Sequence, residues 1–210
     1  IIIGFPQHDI ILVANSALSD LKKEFYSFFN YKNVTYIKWF SPCPYDFVSG
    51  NRKKRIIAKY LKSFTYGCLH ADIILITSFF EGFRDNCIIE FDSNFDLPPI
   101  ASIFYDLIPL LKPENYLDSN REFKQFYLSR LDLLNEVSCL LSISNSSSKE
   151  AEKYLSIDKK DIHNIYAGCD RSTFYPSKLI EDSNQITYSL GKYILYSGAG
   201  DPRKNIQRLV

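Results

Sequence analysis

The 210 residues carry 25 Lys and Arg against 24 Asp and Glu, a net charge of +1, with 46% apolar and 23% charged side chains. That mixture argues against disorder and against a chain-wide attraction to nucleic acid, and it is enough for one well-buried domain and part of another. Cys43, Cys68, Cys87, Cys139 and Cys169 form no CxxC pair, so neither a zinc finger nor a secreted disulfide framework is indicated, and a reducing cytosol is the expected compartment.

Apolar runs such as Ile73 to Ile76 and Ile100 to Phe104 stop far short of the about 20 residues that cross a bilayer, and no signal peptide opens the chain. There is no Met, the first residues are already apolar, and Asn205 to Val210 break off in what reads as a helix just begun. The chain therefore reads as a fragment.

In chain order, Ile10 to Ala14 predicts a strand, and Ser19 caps a helix carrying Leu21, Phe25 and Phe28 at helical spacing. Val34 to Trp39 is a second strand, and Arg52 to Leu69 a helix with Ile56, Ile57, Tyr60, Leu61 and Phe64 on one face. Strands follow at Ile73 to Ile76 and, after the loop SFFEGFRDN, at Ile100 to Phe104, where Pro109 and Pro113 stop any immediate helix. Ser119 and Glu122 form a capping box for a helix bearing Phe123, Tyr127, Leu131 and Leu134; Cys139 to Ile143 is a strand; Ser147 and Glu150 cap the next helix; Ile162 to Tyr166 is a further strand. Strands this apolar, alternating with helices, predict an α/β fold, a Rossmann-like parallel sheet with helices on both faces. The polar stretch from Asp170 to Lys192 reads as a linker, and Tyr193 to Ser197 as the first strand of a second domain.

Three segments carry candidate chemistry. Tyr105 and Asp106 end the Ile100 to Phe104 strand, and the carboxyl ends of strands in open α/β sheets form the ligand crevice. The alternative is that Asp106 only caps the following turn. Glu81 and Gly82, in the loop after Ile73 to Ile76, belong to the same rim; here a solvated Glu81 paired with Arg84 and a turn-forming Gly82 are the alternatives. In YILYSGAGDPRKN, Gly198 and Gly200 follow a strand, Asp201 and Pro202 open a helix, and Arg203 and Lys204 stand in its first turn, where cations oppose the macrodipole unless an anion compensates them. That is the composition of a phosphate seat, against the alternative of two solvated charges.

His8, His70 and His163 have no ligand-spaced partners, and no metal cage or nucleophile motif is present. The basic run Arg52, Lys53, Lys54 and Arg55, continued by Lys59 and Lys62, has two readings: a solvated outer face, or peripheral contact with an anionic membrane surface.

Taken in order and spacing, SFFEG (78–82), FYDLIPLLKPENYL (104–117), LSISNSSSKEAEKYLSI (141–157), IHNIYAGCD (162–170) and YILYSGAGDPRKNI (193–206) resemble the glycosyltransferase family 4 enzymes of the GT-B fold. The resemblance implies residues 1–180 as an N-terminal acceptor-side domain and 181–210 as a linker and the opening of a nucleotide-sugar-binding domain, the two facing across a cleft. It further implies transfer with retention, no metal or other cofactor, Lys204 with Arg203, Gly198 and Gly200 at the donor diphosphate, Asp106 and Tyr105 near the reacting carbon, and Glu81 and Gly82 on the acceptor side.

Two departures stand out: Ala199 occupies a position where many members have arginine, and Tyr105 one where many have histidine. The expected function is a cytoplasmic glycosyltransferase, peripheral on the inner membrane face in the membrane reading, moving a sugar from a nucleotide-sugar donor to a glycan or lipid-linked acceptor in bacterial surface polysaccharide or lipopolysaccharide assembly. The alternatives are a non-catalytic module binding a nucleotide or glycan, favoured by Ala199, and a sugar-nucleotide epimerase, which would need no acceptor.

Overall fold

The architecture is that of a computed structural model, which describes residues 5–17, 30–169, 174, 192, 196–198 and 204–208. The chain divides into two compact units, Ile1–Tyr166 and Ala167–Val210.

In the first unit the β-branched runs form parallel strands. Strands β1 (Ile10–Asn15) and β2 (Val34–Trp39) pair with each other, Ile10 opposite Val34. Strands β3 (Ile74–Ile76), β4 (Ile100–Phe104), β5 (Cys139–Ser142) and β6 (Ile162–Asn164) form a second parallel sheet in that order, with Ile74 opposite Ile100, Ala101 opposite Cys139 and Leu140 opposite Ile162. The fold is α/β, with helical crossovers between β4 and β5 and between β5 and β6. Residues 77–99, which join β3 to β4, contain no helix.

Helix α1 (Arg52–Gly67) starts at Asn51, whose side chain accepts the Lys53 and Lys54 N–H groups at 3.0 and 3.2 Å. The prolines expected to stop a helix each begin one: α2 (Ile108–Leu111) and α3 (Pro113–Tyr116) are single turns with proline in the first positions, where its missing N–H has no intrahelical partner to lose.

Helix α4 (Arg121–Leu134) is capped by Asn120 rather than Ser119, and α5 (Asn145–Tyr154) by Ser144 rather than Ser147. Both caps lie N-terminal to or beside residues of equal capping strength, and β5 ends at Ser142, so α5 begins as soon as the strand permits. The expected helix after Ser19 and the strand residues Tyr193 to Leu195 lie outside the described residues, while Tyr196 and Ser197 are not in a strand.

The main core packs Phe104, Leu107, Leu117, Tyr127, Leu131, Leu134, Leu140, Ala151 and Leu155 between the β3–β6 sheet and helices α4 and α5. A smaller cluster joins Trp39, Tyr45, Ala58 and Ile88. Among the described residues no helix is long and apolar enough to cross a membrane.

Candidate functional site

Because β3 and β4 are parallel neighbours, the loops after Ile76 and Phe104 leave the sheet on the same edge, and the sequence-predicted residues Glu81, Gly82, Tyr105 and Asp106 share one rim. At the end of β4 the Tyr105 ring is 53% exposed and Asp106 is half-buried. Asp106 Oδ1 accepts the Ile108 N–H at 3.0 Å, the bond expected if Asp106 caps the following turn. Among the described residues Oδ2 takes no other hydrogen bond, so a cap and a free carboxylate oxygen coexist in one side chain.

Phe80 of the 77–99 connection stacks on Tyr127 of α4 with ring centroids 4.9 Å apart, and the Tyr127 hydroxyl lies close enough to Asp106 and Glu150 to feel both carboxylates. Burial first, and those charges second, hold its pKa well above the ordinary phenol value. Tyr127 thus joins the two rim loops from beneath.

The Glu81 carboxylate is exposed and accepts the Ser78 hydroxyl at 2.6 Å; its partner is not Arg84, which lies over the Phe83 ring instead. Gly82 is buried at φ 95°, and a Cβ there would sit 2.5 Å from the Cys87 carbonyl oxygen, so both conformation and space require glycine. A cavity of ≈ 340 Å³ opens between the β1–β2 pair and β3, and its lining includes Asn15, Lys38, Lys62, Ser78, Glu81 and Cys87. Asp106 and Tyr105 are not on that lining. Glu81 therefore lies on the lining of an open cavity, while Asp106 lies outside it.

In the second unit, Lys204 is exposed just before the 3₁₀ turn Ile206–Arg208, and Gly198 carries a φ of 156° with a Cβ position only 2.7 Å from the Tyr196 hydroxyl. Gly200, Arg203 and Ala199 lie outside the described residues.

Curated proteins similar to this chain include serotype-specific mannosyltransferases named WbdA from Escherichia coli. One is 24% identical over 197 residues, covering 92% of this chain and 24% of the relative. Another is 30% identical over 140 residues, covering 65% of this chain and 17% of the relative. The chain spans about a quarter of the length of the curated relatives it matches best in coverage. No family model matches the chain.

The rim is held by charges of which only Arg55, in the basic run, stood out in the sequence. Arg130, 1% exposed, places Nη1 2.7 Å from Glu90 Oε1 and donates from Nη2 to the Glu81 carbonyl at 2.8 Å. Arg55 reaches the same Glu90 oxygen at 2.5 Å and the Tyr45 carbonyl at 3.0 Å. Burial opposes ionisation of Glu90, but the Arg130 and Arg55 guanidiniums override it and hold the carboxyl down at about 2. Two signals mark this cluster in the sequence: Glu90 interrupts the apolar run from Cys87 to Phe91, and Arg130 falls in the inward register of α4 with Phe123, Phe126, Tyr127 and Leu134. Of the basic run, Lys54 turns to the Cys43 carbonyl and Arg55 to Glu90, leaving Arg52 and Lys53 exposed.

Proposed function

We propose that this chain is part of a glycosyltransferase that moves a sugar from a nucleotide-sugar donor to a glycan or lipid-linked acceptor, with retention and without a metal, in bacterial surface polysaccharide assembly. The observation that carries the reading is similarity to serotype-specific mannosyltransferases along 92% of the chain. An α/β sheet whose carboxyl-end rim gathers Asp106, Tyr105 and Glu81 supports it.

In this reading the first unit serves the acceptor, with Glu81 and Gly82 on its side of the site and Asp106 and Tyr105 toward the reacting carbon. The second unit begins the donor side, where Lys204 with Arg203, Gly198 and Gly200 takes the diphosphate. A departing diphosphate accumulates negative charge, and fixed cations and backbone N–H groups stabilise it without reorganising. The relatives' name makes mannose the first sugar to test. Peripheral contact with an anionic membrane through the outward Arg52 and Lys53 belongs to the same reading.

The test is mass spectrometry of products from the full-length protein incubated with GDP-mannose, UDP-glucose and UDP-galactose, each with a lipid-linked glycan acceptor. One hexose added from one donor is the expected result. Product formation from none of them, or release of nucleotide and an epimerised sugar without acceptor, overturns it. Lys204→Ala is expected to weaken binding of the selected donor about tenfold at low salt, the scale of one charge-assisted hydrogen bond to phosphate. Unchanged donor affinity by calorimetry removes Lys204 from the diphosphate seat.

A further inference from the structure

We propose that Ser147 and Glu150 of α5 are positioning residues for Asp106, an inference that rests on the transfer reading above. The two side chains lie three positions apart and so share a helix face. Ser147 is buried, and its hydroxyl donates to the Tyr105 carbonyl at 2.5 Å. Glu150 Oε2 accepts the Leu107 N–H at 3.1 Å. These are the backbone groups immediately before and after Asp106, so the residue is held from both sides by one turn of one helix.

The cap of α5 comes from another residue. Ser144 caps α5 by accepting the Ser147 N–H at 3.1 Å, and its hydroxyl lies 3.0 Å from the Ser147 hydroxyl. Since the single Ser147 proton goes to Tyr105, Ser144 is the donor in that second contact, and a chain of two hydroxyls runs from the helix start to the loop. The frame is anchored at both ends. Ile143 N–H bonds to the Phe104 carbonyl at 3.1 Å, fixing the start of α5 to the end of β4, and Leu107 is fully buried in the core. With its backbone pinned and Oδ1 engaged by Ile108, Asp106 keeps Oδ2 as its unbonded oxygen among the described residues. Its aim is set by α5.

Displacement of a reacting group by about 1 Å costs on the order of a hundredfold in rate. In the full-length protein, with the donor selected from GDP-mannose, UDP-glucose and UDP-galactose, Ser147→Ala and Glu150→Ala are therefore expected to lower kcat about 10- to 100-fold with donor affinity unchanged. Glu150→Gln keeps an oxygen that accepts the Leu107 N–H and is expected to stay within about threefold of wild type. Placed in an Asp106→Asn background, Glu150→Ala is expected to add less than about threefold, because its effect runs through Asp106.

A Glu150→Gln enzyme as slow as Glu150→Ala would mean that the charge acts rather than the position. Fully additive losses would mean a general effect on folding. Either result overturns the proposal, and thermal melts with Ser147→Ala and Glu150→Gln decide the matter if Glu150→Ala unfolds. Wild-type transfer that is unaffected by Asp106→Asn removes this proposal and leaves the transfer reading intact, whereas a wild type that transfers nothing removes both.

Discussion

Helices α1 and α4 both carry apolar residues at helical spacing, yet they face opposite ways. Helix α4 turns Phe126, Tyr127, Leu131 and Leu134 into the core. Helix α1 buries Ala58, Lys62 and Ser63 and leaves Ile56, Ile57, Tyr60 and Phe64 half or more exposed. The difference follows from what each helix packs against. Helix α4 packs on a sheet whose backbone is already paired and on the loop rings Phe47, Phe80 and Phe83, so apolar surface is its best complement. Helix α1 packs Ala58 and Leu61 with Trp39 of β2 and also meets the irregular segments 43–51 and 77–99, whose carbonyl groups have no ladder to satisfy them. Its cations do so: Lys62 donates to the Ile88 and Ile89 carbonyls at 2.8 and 2.9 Å, Arg55 to Tyr45, and Lys54 to Cys43. Arg130 performs the same service for Glu81 from within α4. Among the described residues, the buried basic side chains Lys62 and Arg130 both cap loop backbone.

Removing Glu90 tests that arrangement most severely. Glu90→Gln keeps the shape but leaves Arg130 and Arg55 facing each other without a counter-charge, and loss of one partner from a buried ion pair costs about 3 to 5 kcal/mol. Urea titration is expected to show a loss of that size, and a change below about 1 kcal/mol would place the cluster in solvent. The wild type also has an acid limb of known sign. The folded Glu90 carboxyl titrates near 2 against an ordinary 4.5, so its contribution is complete above 4.5 and disappears as pH falls from there toward 2. In Glu90→Gln that part of the limb is absent.

Lys62 gives a smaller effect of the same sign in a higher pH window. Burial pushes its amine down from 10.5 to about 7, with Glu90 partly opposing the shift. Between those values the unfolded chain binds a proton that the folded chain does not, so stability rises with pH across the window and is lowest below 7. Relative to Lys62→Met, the wild type is expected to gain up to about 1.4 kcal/mol per pH unit between about pH 7 and 9. Parallel pH profiles for the two proteins would show an amine that stays charged in the fold.

The strands and most of the rim were legible because buried parallel strands leave long apolar runs and because a carboxylate directly after such a run, as at Asp106, is conspicuous. The facing of α1 was not legible, since periodicity reveals a stripe and not its direction. An S-x-x-E pattern fits several registers, so the caps slipped by one residue at Asn120 and by three at Ser144. The same slip concealed the role of Ser147 and Glu150: read as a cap for their own helix, they reach instead across to Tyr105 and Leu107. The Glu90 cluster joins residues 35 to 40 positions apart, a pairing that only the folded chain reveals.

The smallest expected effect bears most directly on the contrast between the helices. Ile56 is 56% exposed on the outward stripe of α1, where Tyr60 and Phe64 pack edge-on against Phe95, and a surface substitution away from such contacts usually changes stability by no more than about 0.5 kcal/mol. Ile56→Gln is therefore expected to leave the urea midpoint of the full-length protein nearly unchanged, and with it the helix, because Gln is at least as good a helix former as Ile. A loss of about 2 kcal/mol or more would mean that the stripe is covered in the folded protein, since only burial makes one isoleucine matter that much. In that case α1 would be apolar-packed on one side and cation-capped on the other, and the opposition between α1 and α4 would reduce to a difference in what each buries, not in whether it does.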